Sequence, residues 1–450
     1  MNLRLIVLVV ALAALLPARA AQAVPSFARQ TGFSCAQCHT AFPELTPYGR
    51  SFKAGGYTQT LVKQVTHPTT ETWPSLELPQ QVPLGTMAII GFTHTAKAQP
   101  AAEAGAAPPA NDNIELPQQL SFFFAGKVAP KLGIFTQVTY ASASDHLSID
   151  NTDLRFAHAT EVAGKPLTIG ATINNSPTVT DLWNSTPVWS APFIGSGSAP
   201  GPAASTLLEG RLAQQVAGAG AYLWFNNALY LEVDLYRSAP VGVPRPLDSV
   251  TGATNVIGGV APYWRAAYEF GFDKHSLSVG TFGLAASLLP GGGKTGAWNA
   301  LSGDTDSYTD LAFDAQYQYL GEKHIASAVV TYIHESQTLT ASKALGLADN
   351  ASNDLHSLRL TGSYLYDRFV GGRLSFATVR GSADETFYGS LGAKATSLTA
   401  EAWVQPWQNT RFGVSYVHYL DFDGGSTNYD GNGRDAADNS TLFAYVWIAY

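Results

Sequence analysis

From residue 83 to the C-terminus the chain repeats segments of about ten residues in which apolar and polar side chains alternate, each bounded by turn-forming residues. Leu229, Leu231, Val233 and Leu235 alternate with Tyr230, Glu232, Asp234 and Tyr236. Trp264, Ala266, Tyr268 and Phe270 stand against Arg265 and Glu269, and Leu358, Leu360 and Tyr364 against Ser357, Arg359, Thr361 and Ser363. A period of two gives each strand one apolar and one polar face. Soluble sandwiches share that pattern, so the connections must decide. Asn226-Asn227, Asp273-Lys274, Gly321-Glu322 and Asp367-Arg368 read as tight turns, whereas Ser176 to Glu209 and Leu289 to Asp306 read as long external loops. Short turns alternating with long loops mark a transmembrane antiparallel β-barrel, here of roughly sixteen strands over residues 83–450. An even count leaves both chain ends in the periplasm.

Composition agrees. Charged residues make up 13% of the chain, about half the usual share of about 25%. After the first twenty residues no run of about eighteen apolar residues occurs, which excludes a helical membrane protein. Asp and Glu outnumber Lys and Arg by 34 to 26, which argues against a nucleic-acid partner. Arg4, the apolar run Leu5 to Leu16 and Ala21-Gln22-Ala23 form an export signal over residues 1–23. In the last segment Leu442, Ala444, Val446, Ile448 and Tyr450 oppose Phe443, Tyr445 and Trp447, and this aromatic ending is similar to the assembly signal of outer-membrane barrels.

Only two cysteines exist, within Cys35-Ala36-Gln37-Cys38-His39. A zinc site needs about four ligands, and no second ligand pair lies at the usual spacing. In an exported chain this order is the attachment pattern of a c-type haem, with two thiols for the porphyrin and His39 as proximal iron ligand. A plain Cys35–Cys38 disulfide is the rival. Thr46 as cap, Pro47 at the first position and Gly55 or Gly56 beyond predict a helix over Pro47 to Ala54. Tyr48 and Phe52 share a face suited to covering the macrocycle, and Arg50 and Lys53 are candidates for its propionates or for solvated surface charge. For the distal iron ligand the candidates are Met87 and His67, with a more distant side chain or an open position as alternatives. A methionine would raise the reduction potential.

Two other motifs fail on inspection. Gly291-Gly292-Gly293-Lys294-Thr295 has Leu288 where a phosphate loop needs its first glycine. Asn428 to Gly433 lacks the glutamate of a calcium loop, and the loop holding Asp421, Asp423, Asp430, Asp435 and Asp438 reads as solvated.

The stretch Val24 to Gly32, then Cys35 to His39, Phe42-Pro43-Glu44-Leu45 and Tyr48-Gly49-Arg50-Ser51-Phe52-Lys53 to Gly56-Tyr57, resembles the fused monohaem cytochrome-porins, which include extracellular Fe(II) oxidases. The likeness is dense over residues 24–57 and architectural beyond. It implies a cytochrome segment at 24–57, a linker at 58–82 and a barrel at 83–450, with haem c on Cys35, Cys38 and His39. It further implies electrons passing from an extracellular donor, with Fe(II) the candidate, to a soluble periplasmic carrier. A barrel of this size leaves an aqueous lumen unless plugged, so the cytochrome segment is expected inside it. The rival function is a haem-bearing diffusion porin without oxidase activity.

Overall fold

Each alternating segment pairs with the next, giving sixteen antiparallel strands from Leu84–Thr95 to Thr441–Ala449, and the last strand pairs with the first to close a barrel. The computed structural model describes residues 25–67, 76–100, 111–238, 255–290, 304–389 and 391–450; the export signal and the Gly291–Thr295 stretch lie outside the described residues. Along the strand Leu229–Ser238, Tyr230, Glu232, Asp234 and Tyr236 are buried inside, while Leu231, Val233 and Leu235 are exposed on the outer wall. The final strand buries Phe443, Tyr445 and Trp447 and exposes Ile448. Apolar-out, polar-in is the reverse of a protein that faces water, and it is stable where lipid wets the outer wall.

Tight connections at residues 130–131, 163–164, 226–228, 273–274, 321–323, 367–369 and 408–409 fall on one rim, together with the start of the first barrel strand and the chain end. There Tyr450 exchanges backbone hydrogen bonds with Thr86. Long connections occupy the opposite rim, with one exception, the short turn at residues 142–145.

The lumen is filled. Helices α1 (Pro25–Thr31), α2 (Cys35–Cys38) and α3 (Pro47–Ala54) lie within the wall. Arg50 of α3, fully buried, donates to Glu269 at 2.6 Å, Ser276 at 2.9 Å and Gln318 at 2.9 Å, on three successive strands. Glu44 accepts from Ser327 and Ser363. Across the bore Tyr57 donates to Asp153 at 2.7 Å, and Tyr222 donates to the Ala54 carbonyl at 2.6 Å. Contacts to strands on facing sides fix the segment as a plug.

Two expectations need correction. Arg50 and Lys53 are neither solvated nor free: both are buried and committed to protein acceptors. Residues 175–215, expected outside, fold back into the lumen, where Thr178, Asp181, Leu182, Trp183 and Thr186 are fully buried. Their polar groups find partners there: Arg265 lies 2.9 Å from both Asp181 and Asp314, Trp183 donates to Glu269, and Ser185 donates to Asp314. Within residues 58–82, Gln64–His67 (β1) and Leu76–Pro79 (β2) pair antiparallel in a small separate sheet.

Val233, 58% exposed at the middle of its strand, faces the bilayer, so Val233→Arg should cost about 2–4 kcal/mol in barrel unfolding titrations, whereas Leu229→Arg near the rim should cost less. Equal, negligible costs would mean that this face does not meet lipid. Glu269→Gln leaves a buried guanidinium without its carboxylate, at a cost of about 3–5 kcal/mol. Residues 25–57 should then become sensitive to protease while the barrel stays resistant.

Candidate functional site

One helical turn sets the first residues of the site. In α2, Cys35 and Cys38 stand three apart and so share a face. His39 leaves the helix in an extended conformation, its backbone N–H still bonded to the Cys35 carbonyl at 2.8 Å. Helix α3 packs against this turn at backbone distance: a Cβ on Gly49 would lie 2.3 Å from the Cys38 carbonyl oxygen, so only glycine fits. Thr46 joins the pieces, its hydroxyl accepting from the Gly49 N–H and donating to the Gln37 carbonyl. The predicted cap is thus present and also anchors the Cys-x-x-Cys turn.

Beside Cys38 and His39 opens a cavity of about 290 Å³, at the lower end of the range of about 300–1,000 Å³ for ligand pockets. Its walls are mainly apolar: Phe27, Phe42 and Phe52 from the plug, Ile89, Phe123, Phe135 and Trp447 from the barrel, and Trp189 and Phe193 from the infolded loop. Met87, 7% exposed, lines the same cavity from the first barrel strand. Phe42 links the parts, with its ring centroid 5.2 Å from that of His39, 4.9 Å from that of Phe193 and 5.6 Å from that of Trp447. Cys35 borders an adjoining pocket toward the short-turn rim, shared with His39, Phe42 and Trp447 and lined by Gln408 and Arg411.

Burial governs the ionisation of these groups. It lowers the His39 imidazole to about 4, against the raising effect of the Glu44 and Pro43 backbone, and the Lys53 charge adds to the fall. The ring is therefore neutral, buried against the Glu44 and Pro43 backbone. Burial pushes the Cys35 thiol up to about 12 and Cys38 to about 11. A reactive redox pair sits in the opposite, thiolate-favouring setting. Lys53 is drawn down to about 7, first by burial and then by the Arg155 charge.

Lys53 closes the cavity on the side of the infolded loop. Its Nζ donates to the Val179 and Asp181 carbonyls at 2.8 and 2.6 Å and to Asn184 Oδ1 at 3.0 Å, and it lies 4.7 Å from the Trp189 ring centroid. Asn184 in turn donates to the Pro43 carbonyl. The loop is thereby bound to the plug on both sides of His39's neighbourhood.

A neutral imidazole and a thioether on one apolar cavity, with two thiols on one helical face beside it, form a donor set that fits a covalently held haem. The structure thus brings together four of the five sequence candidates, Cys35, Cys38, His39 and Met87. His67 ends β1 in the small sheet, paired with Leu76, and its side chain lies outside the described residues. Tyr48 does not line the cavity: it stacks edge-on with Phe33 and donates to Gln59. Sequence reasoning missed the barrel's contribution. Ile89 shares the inward parity of Met87, and Trp447 the inward parity of its strand, so alternation could have placed both. Trp189 and Phe193 carried no such signal. The acidic loop satisfies itself, with Asp430 accepting from the Asn432 and Arg434 amides. Among the described residues no group of three or more His, Cys, Asp or Glu gathers as a metal site.

No protein-family model and no curated protein matches the chain. Among solved structures it is similar to OmpF of Salmonella typhi in complex with daunomycin, with 13% identity and a TM-score of 0.46 over 82% of this chain and 97% of that one. It is also similar to the anion-selective porin of Comamonas acidovorans, with 13% identity and a TM-score of 0.44 over 82% and 98%. The outer-membrane channel DcaP of Acinetobacter baumannii aligns with 12% identity and a TM-score of 0.43 over 82% and 96%. These likenesses are of architecture alone and add nothing to what the closed sixteen-strand order already shows.

Proposed function

We propose that this protein is an outer-membrane electron conduit carrying one c-type haem, taking electrons from an extracellular donor and delivering them to a soluble periplasmic carrier. The observation that carries this reading is the convergence of His39 and Met87 on one mainly apolar cavity inside a membrane-spanning barrel. When bound, the haem supplies one-electron transfer.

The residues of the chain provide the setting. Cys35 and Cys38 would hold the group, with His39 as the ligand adjoining the attachment turn and Met87 as the candidate on the barrel side. Phe27, Phe42, Phe52, Phe123 and Phe135 exclude water. The Cys-x-x-Cys turn lies at the short-turn rim, where the Ala36 N–H donates to Gln408 in the connection to the last two strands. Short turns mark the periplasmic rim of outer-membrane barrels, which supports an attachment turn within reach of a soluble carrier. The far rim bears the long loops and faces the donor, for which Fe(II) is the candidate drawn from the family resemblance. A diffusion porin is the alternative, and the plug together with the infolded loop in the lumen favours the conduit over it.

Protein matured with haem-attachment machinery should carry one covalent haem per chain, lost in Cys35→Ser/Cys38→Ser. Met87→His should lower the reduction potential, because a methionine ligand raises it, while His67→Ala should leave it unchanged. Stopped-flow mixing of the oxidised protein with Fe(II) should reduce the haem. Absence of haem from the mature chain would overturn the proposal. An unchanged haem spectrum on mixing would remove Fe(II) as donor, and a potential unmoved by Met87→His would remove Met87 as ligand.

A further inference from the structure

Four cations are buried around α3 and the infolded loop, and the lumen supplies four carboxylates beside them. Arg50 pairs with Glu269, Arg155 with Asp153, and Arg265 with Asp181 and Asp314, while Lys53 donates to the carbonyls flanking Asp181. Two further carboxylates, Glu232 and Asp234, sit 2% and 0% exposed in the same layer, and among the described residues neither forms an ion pair. Arg155 and Lys53 are near enough to feel Glu232 but donate elsewhere. Burying two carboxylates without an ion pair is costly, and among the described residues Asp234 accepts only from Asn174 and Tyr236, both on Oδ2.

Part of the group around these carboxylates is unsatisfied. Asp234 Oδ1 and the Tyr263 hydroxyl lack a hydrogen-bond partner among the described residues, while the Thr180 and Tyr230 hydroxyls reach Glu232. Thr180, Tyr230 and Tyr263 are fully buried. Thr180 and Tyr230 stand beside the Glu232 carboxylate, and Tyr263 is the direct cross-strand partner of Asp234. The position across the other neighbour is Gly220, where a Cβ would fall 1.6 Å from Asp234 Oδ1, so the carboxylate occupies space that only glycine leaves. Orphaned buried donors and acceptors are rare, and a pair of them calls for an occupant.

We infer that Glu232 and Asp234, with the hydroxyls of Thr180, Tyr230 and Tyr263, bind one hard divalent cation such as Mg²⁺, Ca²⁺ or Mn²⁺. The donors are all oxygen, which selects hard ions over zinc or copper. A single divalent charge balances the two surplus carboxylates. Because Thr180 belongs to the infolded loop and the other donors to the wall, the ion ties the loop to the barrel. The site is separate from the haem cavity, and the inference stands whether or not haem is carried.

The test is elemental analysis of the full chain, purified from membranes in detergent and dialysed exhaustively against EDTA. One Mg²⁺, Ca²⁺ or Mn²⁺ per chain should remain, counted apart from any haem iron. Glu232→Gln/Asp234→Asn should lower its content by about tenfold or more, while Asp430→Asn in the exposed loop should not change it. If the double variant fails to fold, Tyr263→Phe keeps the ring and the charges, and it should lose the ion to EDTA about tenfold faster. Folded wild-type protein without a stoichiometric divalent ion, or retention unchanged in the variants, would overturn the inference and leave ordered water as the occupant.

Discussion

The interior depends on one inversion: along much of the wall the inward residues are polar, as Tyr230, Glu232, Asp234 and Tyr236 are, so the barrel offers a plug charged and hydrogen-bonding partners there. Arg50, bound to three successive strands, is the clearest consequence. A buried guanidinium is costly without a partner, and the wall residues Glu269, Ser276 and Gln318 hold its two terminal nitrogens at the level of α3. With α3 held there, the Cys38 carbonyl is pressed against Gly49 and the Cys-x-x-Cys turn is fixed relative to the barrel. Met87, a wall residue, can then share a cavity with His39, a plug residue.

The infolded loop uses the same device from the other side. Asp181 gathers the amides of Trp183, Ser185 and Thr186 while facing Arg265, so one buried carboxylate shapes the loop and binds it to the wall. Trp189 and Phe193 are delivered to the cavity as a result. Residues 175–215 therefore form one wall of the cavity beside His39.

The barrel was legible because its signal is local and repeated: parity along a strand decides inside from outside, and the correct assignment of Tyr230, Glu232, Asp234 and Tyr236 to one face needed nothing else. The helix Pro47–Ala54 was legible for a similar reason, since Thr46 and Pro47 act on their immediate neighbours. The fate of Ser176 to Glu209 was not, because its partners Asp314, Glu269 and Thr331 are distant in sequence and no local pattern announces them. Arg50 and Lys53 were misjudged in the same way: a cation on a short helix looks solvated until the surrounding wall is known. Met87 is the only methionine after Met1, but its inward parity, which brings it to the cavity, is the stronger signal.

Sidedness is the most direct test of the central claim. The protein is reconstituted into liposomes that enclose an oxidised soluble c-type cytochrome, and a membrane-impermeant reductant is added outside. An electron conduit predicts reduction of the enclosed cytochrome, lost when Cys35 and Cys38 are replaced by serine. No reduction with haem fully incorporated, or equal reduction with the serine variant, would contradict it.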